Sequence, residues 1–261
     1  MPKTMIVPVD GSAPAERAMR VAQGLAAHFG RCDLLVMTAS GSDDRERRDY
    51  LKALVEEATE PRIRAEFAEN VEPADAIARA AEATPDAVVC MATHGRRRVT
   101  APFLGSVATE VLRRIRTPVI LVGPRCQTGW WHYPAKLVAC WAGEESNLVL
   151  PWARQWADAL GIELWLESVF HPLDTHMAQD PHAEFEPALA QIGSGIEVHL
   201  LPLRDDYPPA AILRSARELP ATLLAMTTHA RTGLAHAALG SVTMQVVHDS
   251  PCPVLVVGQP L

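Results

Sequence analysis

Two copies of one sequence pattern, separated by 135 residues, constrain the fold of this chain more than any other feature. Residues 91–95 read Met-Ala-Thr-His-Gly, and residues 226–230 read Met-Thr-Thr-His-Ala. At the same separation, Leu-Gly-Ser-Val occurs at 104–107 and again at 239–242. Agreement of this kind at one separation predicts a tandem duplication of a single domain.

The repeat divides the chain into two domains of ordinary size. A chain of 261 residues accommodates two domains of roughly 130 residues each. We expect an N-terminal domain at 1–124, a linker at 125–134 and a C-terminal domain at 135–261. The linker contains Trp130 and Trp131, which we expect to pack between the domains, with a platform for a ligand as the alternative.

The composition is that of a globular protein and argues against some classes of partner. Hydrophobic residues make up 48%, charged residues 21%, and the net charge is −7. A negative net charge disfavours non-specific binding to nucleic acid or to an anionic membrane. The five cysteines form no Cys-x-x-Cys pair, which indicates buried free thiols in a reducing compartment. Because the sequence shows neither a signal peptide nor a long apolar run, we expect a cytoplasmic protein.

Short apolar segments alternate with amphipathic segments in the first copy. The apolar segments predict strands at Thr4–Val9, Leu34–Thr38, Ile63–Phe67, Asp86–Thr93 and Pro118–Val122. Apolar side chains at helical spacing predict helices at 15–29, 42–60, 73–83 and 105–115. This alternation predicts an α/β fold, in which each copy forms a five-stranded, mostly parallel sheet with helices on both faces.

The second copy repeats this order with one insertion. Its predicted strands are 137–141, 162–169, 196–200, 223–227 and 254–257, and its main predicted helices are 146–160, 209–219 and 241–247. The separation between copies grows from 131 at Gly161 to 135 at Met226, which predicts a net insertion of four residues around Phe170–His182. This loop carries His171, His176 and His182, but no cysteine or carboxylate at a recognised ligand spacing, so a solvated loop is favoured over a metal site.

The first copy places a carboxylate and two glycines where a ligand is expected. Asp10 ends the first predicted strand and Thr93 ends the fourth, and ligands of parallel sheets bind at the carboxyl ends of strands where the strand order reverses. Gly95 permits a tight turn, and Gly105-Ser106 begins a helix whose unpaired N–H groups and dipole favour an anion. The pattern therefore predicts an anion site, most naturally for phosphate. The next loop contains Arg96, Arg97 and Arg98. We expect these residues either to supply countercharge or to form a solvated basic loop.

Three features make the chain resemble the universal stress proteins of the tandem two-domain kind. They are Val9-Asp10-Gly11-Ser12 after the opening strand, a near match to Gly-x2-Gly-x9-Gly-Ser/Thr, and a closing Pro-Val-x-x-Val strand. The resemblance covers essentially the whole chain and implies two Rossmann-like domains of the adenine nucleotide alpha hydrolase-like type. In nucleotide-binding members, the glycine motif holds the phosphates of ATP and the aspartate lies in the same pocket.

The resemblance implies an ATP site, possibly with Mg, in the N-terminal domain. The implied site residues are Pro8, Val9, Asp10, Ala92, His94, Gly95, Arg96, Gly105, Ser106 and Val107. Ala92 replaces the first motif glycine, and its methyl group is tolerated or crowds the phosphates if the backbone needs a positive φ.

The second copy departs further from the family motif. Trp141 is expected at the aspartate position, Thr227 at the first glycine and Ala230 at the second, so that Gly240-Ser241 alone remains. We therefore expect the C-terminal domain to bind no nucleotide and to act structurally. Because family members dimerise through their last strands, the resemblance also implies an internal pseudo-dimer of Pro118–Val122 with Pro253–Val257.

Three functions are weighed on this basis. The favoured one is a non-enzymatic regulatory module in the stress response, whose adenine nucleotide alters binding of an unknown protein partner. The alternative is a nucleotide-free tandem scaffold that acts through protein partners or another small ligand, and a homodimer of the whole chain is also considered. An enzyme, either a weak ATPase or one built on the second domain, is disfavoured because GxxxxGK[ST], HExxH and GxSxG are absent from the sequence.

Overall fold

The strands of both copies join in a single ten-stranded sheet. The computed structural model describes residues 1–40, 45–56, 62–95, 104–127, 134–173, 180, 182–219, 222–228 and 239–258. The linker tryptophans Trp130 and Trp131 lie outside these residues, as do Arg96–Arg98, His176 and Ala230.

The N-terminal domain alternates strands and helices as its sequence predicts. Its strands are β1 (Thr4–Pro8), β2 (Asp33–Ser40), β3 (Ile63–Glu69), β4 (Ala87–Ala92) and β5 (Val119–Val122). Its helices are α1 (Ala13–Phe29), α2 (Arg45–Glu56), α3 (Pro73–Ala83) and α4 (Ser106–Arg114). The residues at both ends of the predicted helix 42–60 lie outside the described part of the chain.

The C-terminal domain repeats this order. Its strands are β6 (Lys136–Cys140), β7 (Glu163–Phe170), β8 (Val198–Arg204), β9 (Thr222–Thr227) and β10 (Val254–Val257). Its helices are α5 (Val149–Leu160), α6 (Glu186–Ile192), α7 (Pro208–Glu218) and α8 (Ser241–Asp249), with 3₁₀ turns at Glu144–Ser146 and Ala183–Phe185.

The order of strands in the sheet is β3-β2-β1-β4-β5-β10-β9-β6-β7-β8. All strand pairs within a domain are parallel, so right-handed crossovers place helices on both faces. The two domains join where β5 and β10 pair antiparallel, with Val254 opposite Leu121. The predicted pairing of the two last strands is therefore present. Strand order reverses between β1 and β4, and again between β6 and β9, which marks one expected ligand edge in each domain.

A tight turn connects β1 to α1 and fixes the position of Asp10. Gly11 adopts a φ of 77°, which a glycine accepts without a steric cost. Ser12 caps α1, since its hydroxyl accepts a hydrogen bond from the N–H of Ala15 at 3.3 Å. The turn thus holds the Asp10 carboxylate beside the carboxyl end of β1.

Two expectations about the second copy need correction. The predicted strand 196–200 lies instead at Val198–Arg204, because Pro202 does not end it. A proline fits there since β8 is the last strand of the sheet and has a free edge. The predicted helix 146–160 begins at Val149 after a 3₁₀ turn.

The strand register also changes the size of the insertion. Corresponding residues of β2 and β7 are 130 positions apart in the sequence, as for Leu34 and Leu164. Corresponding residues of β3 and β8 are 135 positions apart, as for Ile63 and Val198. The segment between β7 and β8 is therefore five residues longer than its counterpart, where the sequence predicts four.

Candidate functional site

A cavity of about 270 Å³ opens at the carboxyl ends of β1, β2 and β4, where the strand order of the N-terminal domain reverses. Much of its wall is apolar, from the side chains of Pro8, Val9, Met37, Ile77 and Val107. Asp10, Arg47 and His94 add polar groups, and Ala92 and Gly95 complete the side next to β4. Apolar walls with a few convergent polar groups are typical of small-ligand sites.

Asp10 and Gly95 are close neighbours in the wall of this cavity. The Asp10 carboxylate accepts a hydrogen bond from the N–H of Ser12 at 3.0 Å. A Cβ atom added to Gly95 would lie 2.5 Å from the other carboxylate oxygen of Asp10. Gly95 is not among the glycines with positive φ, so it is needed for space next to Asp10 and not for an unusual backbone.

Gly105 brings the start of α4 to the end of β4. Its N–H donates to the carbonyl of Thr93 at 2.8 Å, and a Cβ atom there would lie 3.0 Å from that same oxygen. Gly105 is the N-cap of α4, and no side chain among the described residues caps this helix. Its first N–H groups and its dipole therefore favour an anion. Ser106, the first helical residue, is exposed.

Ala92 causes no backbone strain at the position of the first motif glycine. It ends β4 and pairs with Val122. The non-glycine residues with positive φ in the described chain are Asn70 and Asp86, so a glycine is not required at position 92. The extra methyl group adds to the cavity wall.

Arg47 is a cationic residue of the cavity wall that the sequence analysis did not identify. Its Nη1 donates to the carbonyl of Ala39 at the end of β2, at 2.9 Å. Arg47 belongs to α2, which also carries Arg45 and Arg48, so the sequence pattern does not distinguish it from neighbouring charged residues. The predicted countercharge of Arg96 lies outside the described residues.

His94 lies between the cavity and the C-terminal domain. Only 9% of the residue is exposed, and its Nδ1 lies 2.9 Å from the hydroxyl of Thr93. The ring centroid of His248 in α8 lies 6.4 Å from the ring centroid of His94. A residue that lines the N-terminal cavity therefore lies next to a residue of the other domain.

The strand register corrects the expected position of Trp141. The N–H of Val9 donates to the carbonyl of Met37, and the N–H of Trp141 donates to the carbonyl of Glu167 in the same way. Trp141 therefore corresponds to Val9, and Ala142 corresponds to Asp10. Trp141 was expected one position too late because the separation of 131 at Gly30 and Gly161 does not hold at the preceding strands, which are 132 residues apart.

Aromatic side chains fill the corresponding region of the C-terminal domain. Trp141 is 8% exposed, and its Nε1 donates to Asn147 Oδ1 at 2.9 Å. The ring centroid of Trp141 lies 6.3 Å from that of Phe185, and the ring centroid of Phe185 lies 6.0 Å from that of Phe170. Phe185 is fully buried, so these rings occupy space at the carboxyl edge of this half of the sheet.

A buried carboxyl group lies next to this aromatic cluster. Glu167, which corresponds to Met37 of the first cavity, is 1% exposed. It accepts a hydrogen bond from the Ser215 hydroxyl, and the Cys140 sulfur lies 3.8 Å from its Oε1. Burial raises the pKa of Glu167 from 4.5 to about 7 despite these hydrogen bonds.

Metal binding and membrane insertion receive no support from the residues that the structure describes. No three potential metal-binding side chains come together within them. His171 and His182 of the inserted loop are exposed. None of the described helices has the length and apolar character needed to cross a bilayer.

Comparison with known proteins identifies the repeated unit. The family model described as the Universal stress protein family matches the chain twice, at residues 1–123 and 136–258. A universal stress protein from Archaeoglobus fulgidus DSM 4304 has a similar structure, with a TM-score of 0.69, 22% identity and 99% of each chain covered. A functionally unknown protein from Pseudomonas aeruginosa PAO1 gives a TM-score of 0.64 at 19% identity, over 98% of this chain and 92% of that one. A search of the curated proteins finds no match.

Proposed function

The chain belongs to the universal stress protein family, and we propose that its N-terminal domain is a regulatory module that binds an adenine nucleotide. The observation that carries this proposal is one cavity at the strand-order reversal, where Asp10, Gly95 and the start of α4 meet. Solved members of similar fold establish the architecture, and the chemistry of the cavity supports the ligand class.

The start of α4 is suited to the phosphates. An uncapped helix N-terminus presents N–H groups and a positive dipole end. Gly105 and Gly95 allow β1, β4 and α4 to come close together here, because a side chain at either position would meet Thr93 or Asp10. Ser106 adds a hydroxyl at the first turn, and Arg96 in the adjoining loop is the expected countercharge.

The apolar wall is suited to a planar base. Val9, Met37 and Ile77 offer hydrophobic surface, and Arg47 lies at the edge of that surface. Asp10 supplies a carboxylate for ribose hydroxyls or for magnesium carried by the phosphates. Magnesium is commonly held by one or two carboxylates together with substrate phosphates, so it needs no cluster of protein ligands here.

We propose that the C-terminal domain binds no nucleotide and serves to complete the sheet. In this domain the residue that corresponds to Asp10 is Ala142, and Trp141 and Phe185 fill the adjoining space. The domains are proposed to extend over 1–124 and 135–261, with residues 125–134 as the linker. In this proposal the protein acts in the cytoplasm, by binding and not by catalysis. Nucleotide occupancy changes its affinity for a protein partner.

A titration of the full chain with Mg-ATP by calorimetry tests this function. Val107→Trp introduces a large ring at the cavity wall and is expected to abolish the binding heat. Val242→Trp, at the corresponding position of α8 in the C-terminal domain, is the matched control and is expected to retain it. Equal behaviour of the two variants, with both folded by circular dichroism, would contradict the site. No heat with the unmodified protein would favour the nucleotide-free scaffold.

A further inference from the structure

The wall of the N-terminal cavity is supported from outside by the C-terminal domain. His94 lines the cavity, and the ring of His248 meets it edge to face, with an angle of 83° between the ring planes. The side chain of His248 is 14% exposed, so solvent has little access to this contact. Edge-to-face contacts between shielded rings are favourable and orient both partners.

His248 is itself fixed by a carboxylate that also contacts the first residue of the linker. Its Nδ1 lies 2.9 Å from Asp249 Oδ1, the next residue of the chain. The same oxygen lies 3.1 Å from Nε of Arg125, which follows β5 of the N-terminal domain. Arg125, Asp249, His248 and His94 thus form a continuous series of contacts from the domain junction to the cavity.

The backbone of the domain junction leaves α8 little room to move. A Cβ atom added to Gly123 would overlap the carbonyl oxygen of Val247, in the last turn of α8. The N–H of Gln127 donates to the carbonyl of Pro251 at 2.8 Å. Because the end of α8 packs directly on the segment after β5, the position of His248 depends on how the two domains are joined.

From these contacts we propose that His248 is a positioning residue for the nucleotide site of the other domain. It holds the ring of His94 from one side while the Thr93 hydroxyl holds it at Nδ1. Nucleotide binding that orders His94 therefore also orders α8 and the domain junction, since coupling between two events is reciprocal. This inference rests on the proposed function, and it explains how a domain without a working site can respond to nucleotide.

A double-mutant cycle tests whether His248 acts through His94. The dissociation constant of Mg-ATP is measured by calorimetry on the full chain for His248→Ala, His94→Ala and the double variant. His248→Ala is expected to weaken binding about 3- to 10-fold, as the loss of one ring contact predicts, and to have no further effect when His94 is already alanine. His248→Phe keeps a ring at this position and is expected to recover most of the affinity.

Arg113→Ala is the matched control. Arg113 has the position in α4 that His248 has in α8, and it pairs with Glu110 at the surface. Its replacement is expected to leave the affinity for Mg-ATP unchanged. An equal loss of affinity in Arg113→Ala and His248→Ala would overturn the inference.

Hydrogen exchange of the unmodified protein gives a second readout that does not depend on any variant folding. Added Mg-ATP is expected to slow exchange both around residues 92–95 and 105–108 and in α8, residues 241–249. Slower exchange at the first two segments without any change in α8 would overturn the role of His248 and leave the nucleotide site standing. No change at any segment would contradict the nucleotide site itself.

Discussion

Glu167 should make the stability of the C-terminal domain fall as the pH rises from 5 to 8. The carboxyl group is buried on β7 between Cys140 and Ser215. Burial raises its pKa to about 7, whereas the unfolded chain releases the proton near 4.5. Within this interval the folded state binds more protons than the unfolded state, so the free energy of unfolding decreases with rising pH.

The size of this effect follows from the two pKa values. A difference between 4.5 and about 7 corresponds to about 3 kcal/mol, at 1.36 kcal/mol per pKa unit. The stabilisation is complete below pH 4.5 and is lost once the pH passes 7. Glu167→Gln keeps the shape and an acceptor for the Ser215 hydroxyl but carries no titrating proton. The difference in free energy of unfolding between the variant and the unmodified protein should therefore shift by about 2–3 kcal/mol in favour of the variant as the pH rises from 5 to 8.

Urea unfolding at several pH values, followed by tryptophan fluorescence, measures this difference. The signal reports the C-terminal domain and the segment before it, because all six tryptophans lie between Trp130 and Trp165. Glu163→Gln is the control on the same strand. The pKa of Glu163 is lowered by its hydrogen bond from Trp165, so this variant should show no gain at high pH. Parallel stability profiles for the unmodified protein and Glu167→Gln would refute the reasoning.

Three further predictions concern the packing of the two domains. Gly123→Ala should lower the free energy of unfolding in urea by about 1–3 kcal/mol, because the added Cβ overlaps a carbonyl of α8. Gly258→Ala is the control and should change it little, since its added Cβ has its nearest contact at 3.9 Å. Equal losses in the two variants would count against the close contact at the domain junction. Trp156→Phe should lower the free energy of unfolding by about 1–3 kcal/mol, from the smaller ring alone, since the buried Nε1 has no hydrogen-bond partner among the described residues. Trp156→Ala should lower it by about 3–5 kcal/mol, and equal losses for the two variants would contradict this account. Burial raises the pKa of the Cys90 thiol, and it raises the pKa of the Cys252 thiol to about 12. A thiol reagent should therefore label both cysteines only after unfolding. Rapid labelling of the native protein would contradict their burial.

The fold could be predicted from the sequence because buried parallel strands are continuous apolar runs bounded by turn residues. The repeat supplied the second domain, and family resemblance supplied the pairing of β5 with β10. Prediction was wrong at β8, where a strand at 196–200 was expected and the strand runs through Pro202 to Arg204. A proline interrupts a central strand but not an edge strand, and the position of β8 in the sheet is not visible in its local sequence.

The candidate site could be predicted where residues follow strand ends or begin a helix. Asp10 and Gly95 were identified because each follows a predicted strand, and Gly105 because Gly105-Ser106 begins a predicted helix. The neighbouring positions of β1 and β4 in the sheet come from the structure. Arg47 was missed because the direction of a side chain from a charged helix depends on tertiary packing. Trp141 was placed one residue too late because a single separation cannot represent loops of different length, and the hydrogen bonds of β6 were needed to correct it.

The number of Mg-ATP molecules bound per chain tests the central claim most directly. Calorimetry on the full chain is expected to give one site, and Asp10→Ala is expected to weaken it about 10- to 100-fold, the range for a lost hydrogen bond to a charged group. One site that Asp10→Ala weakens would support a single working site in the N-terminal domain. Two sites would contradict the filled C-terminal cavity, and either no binding or one site unaffected by Asp10→Ala would contradict the assignment of the N-terminal cavity.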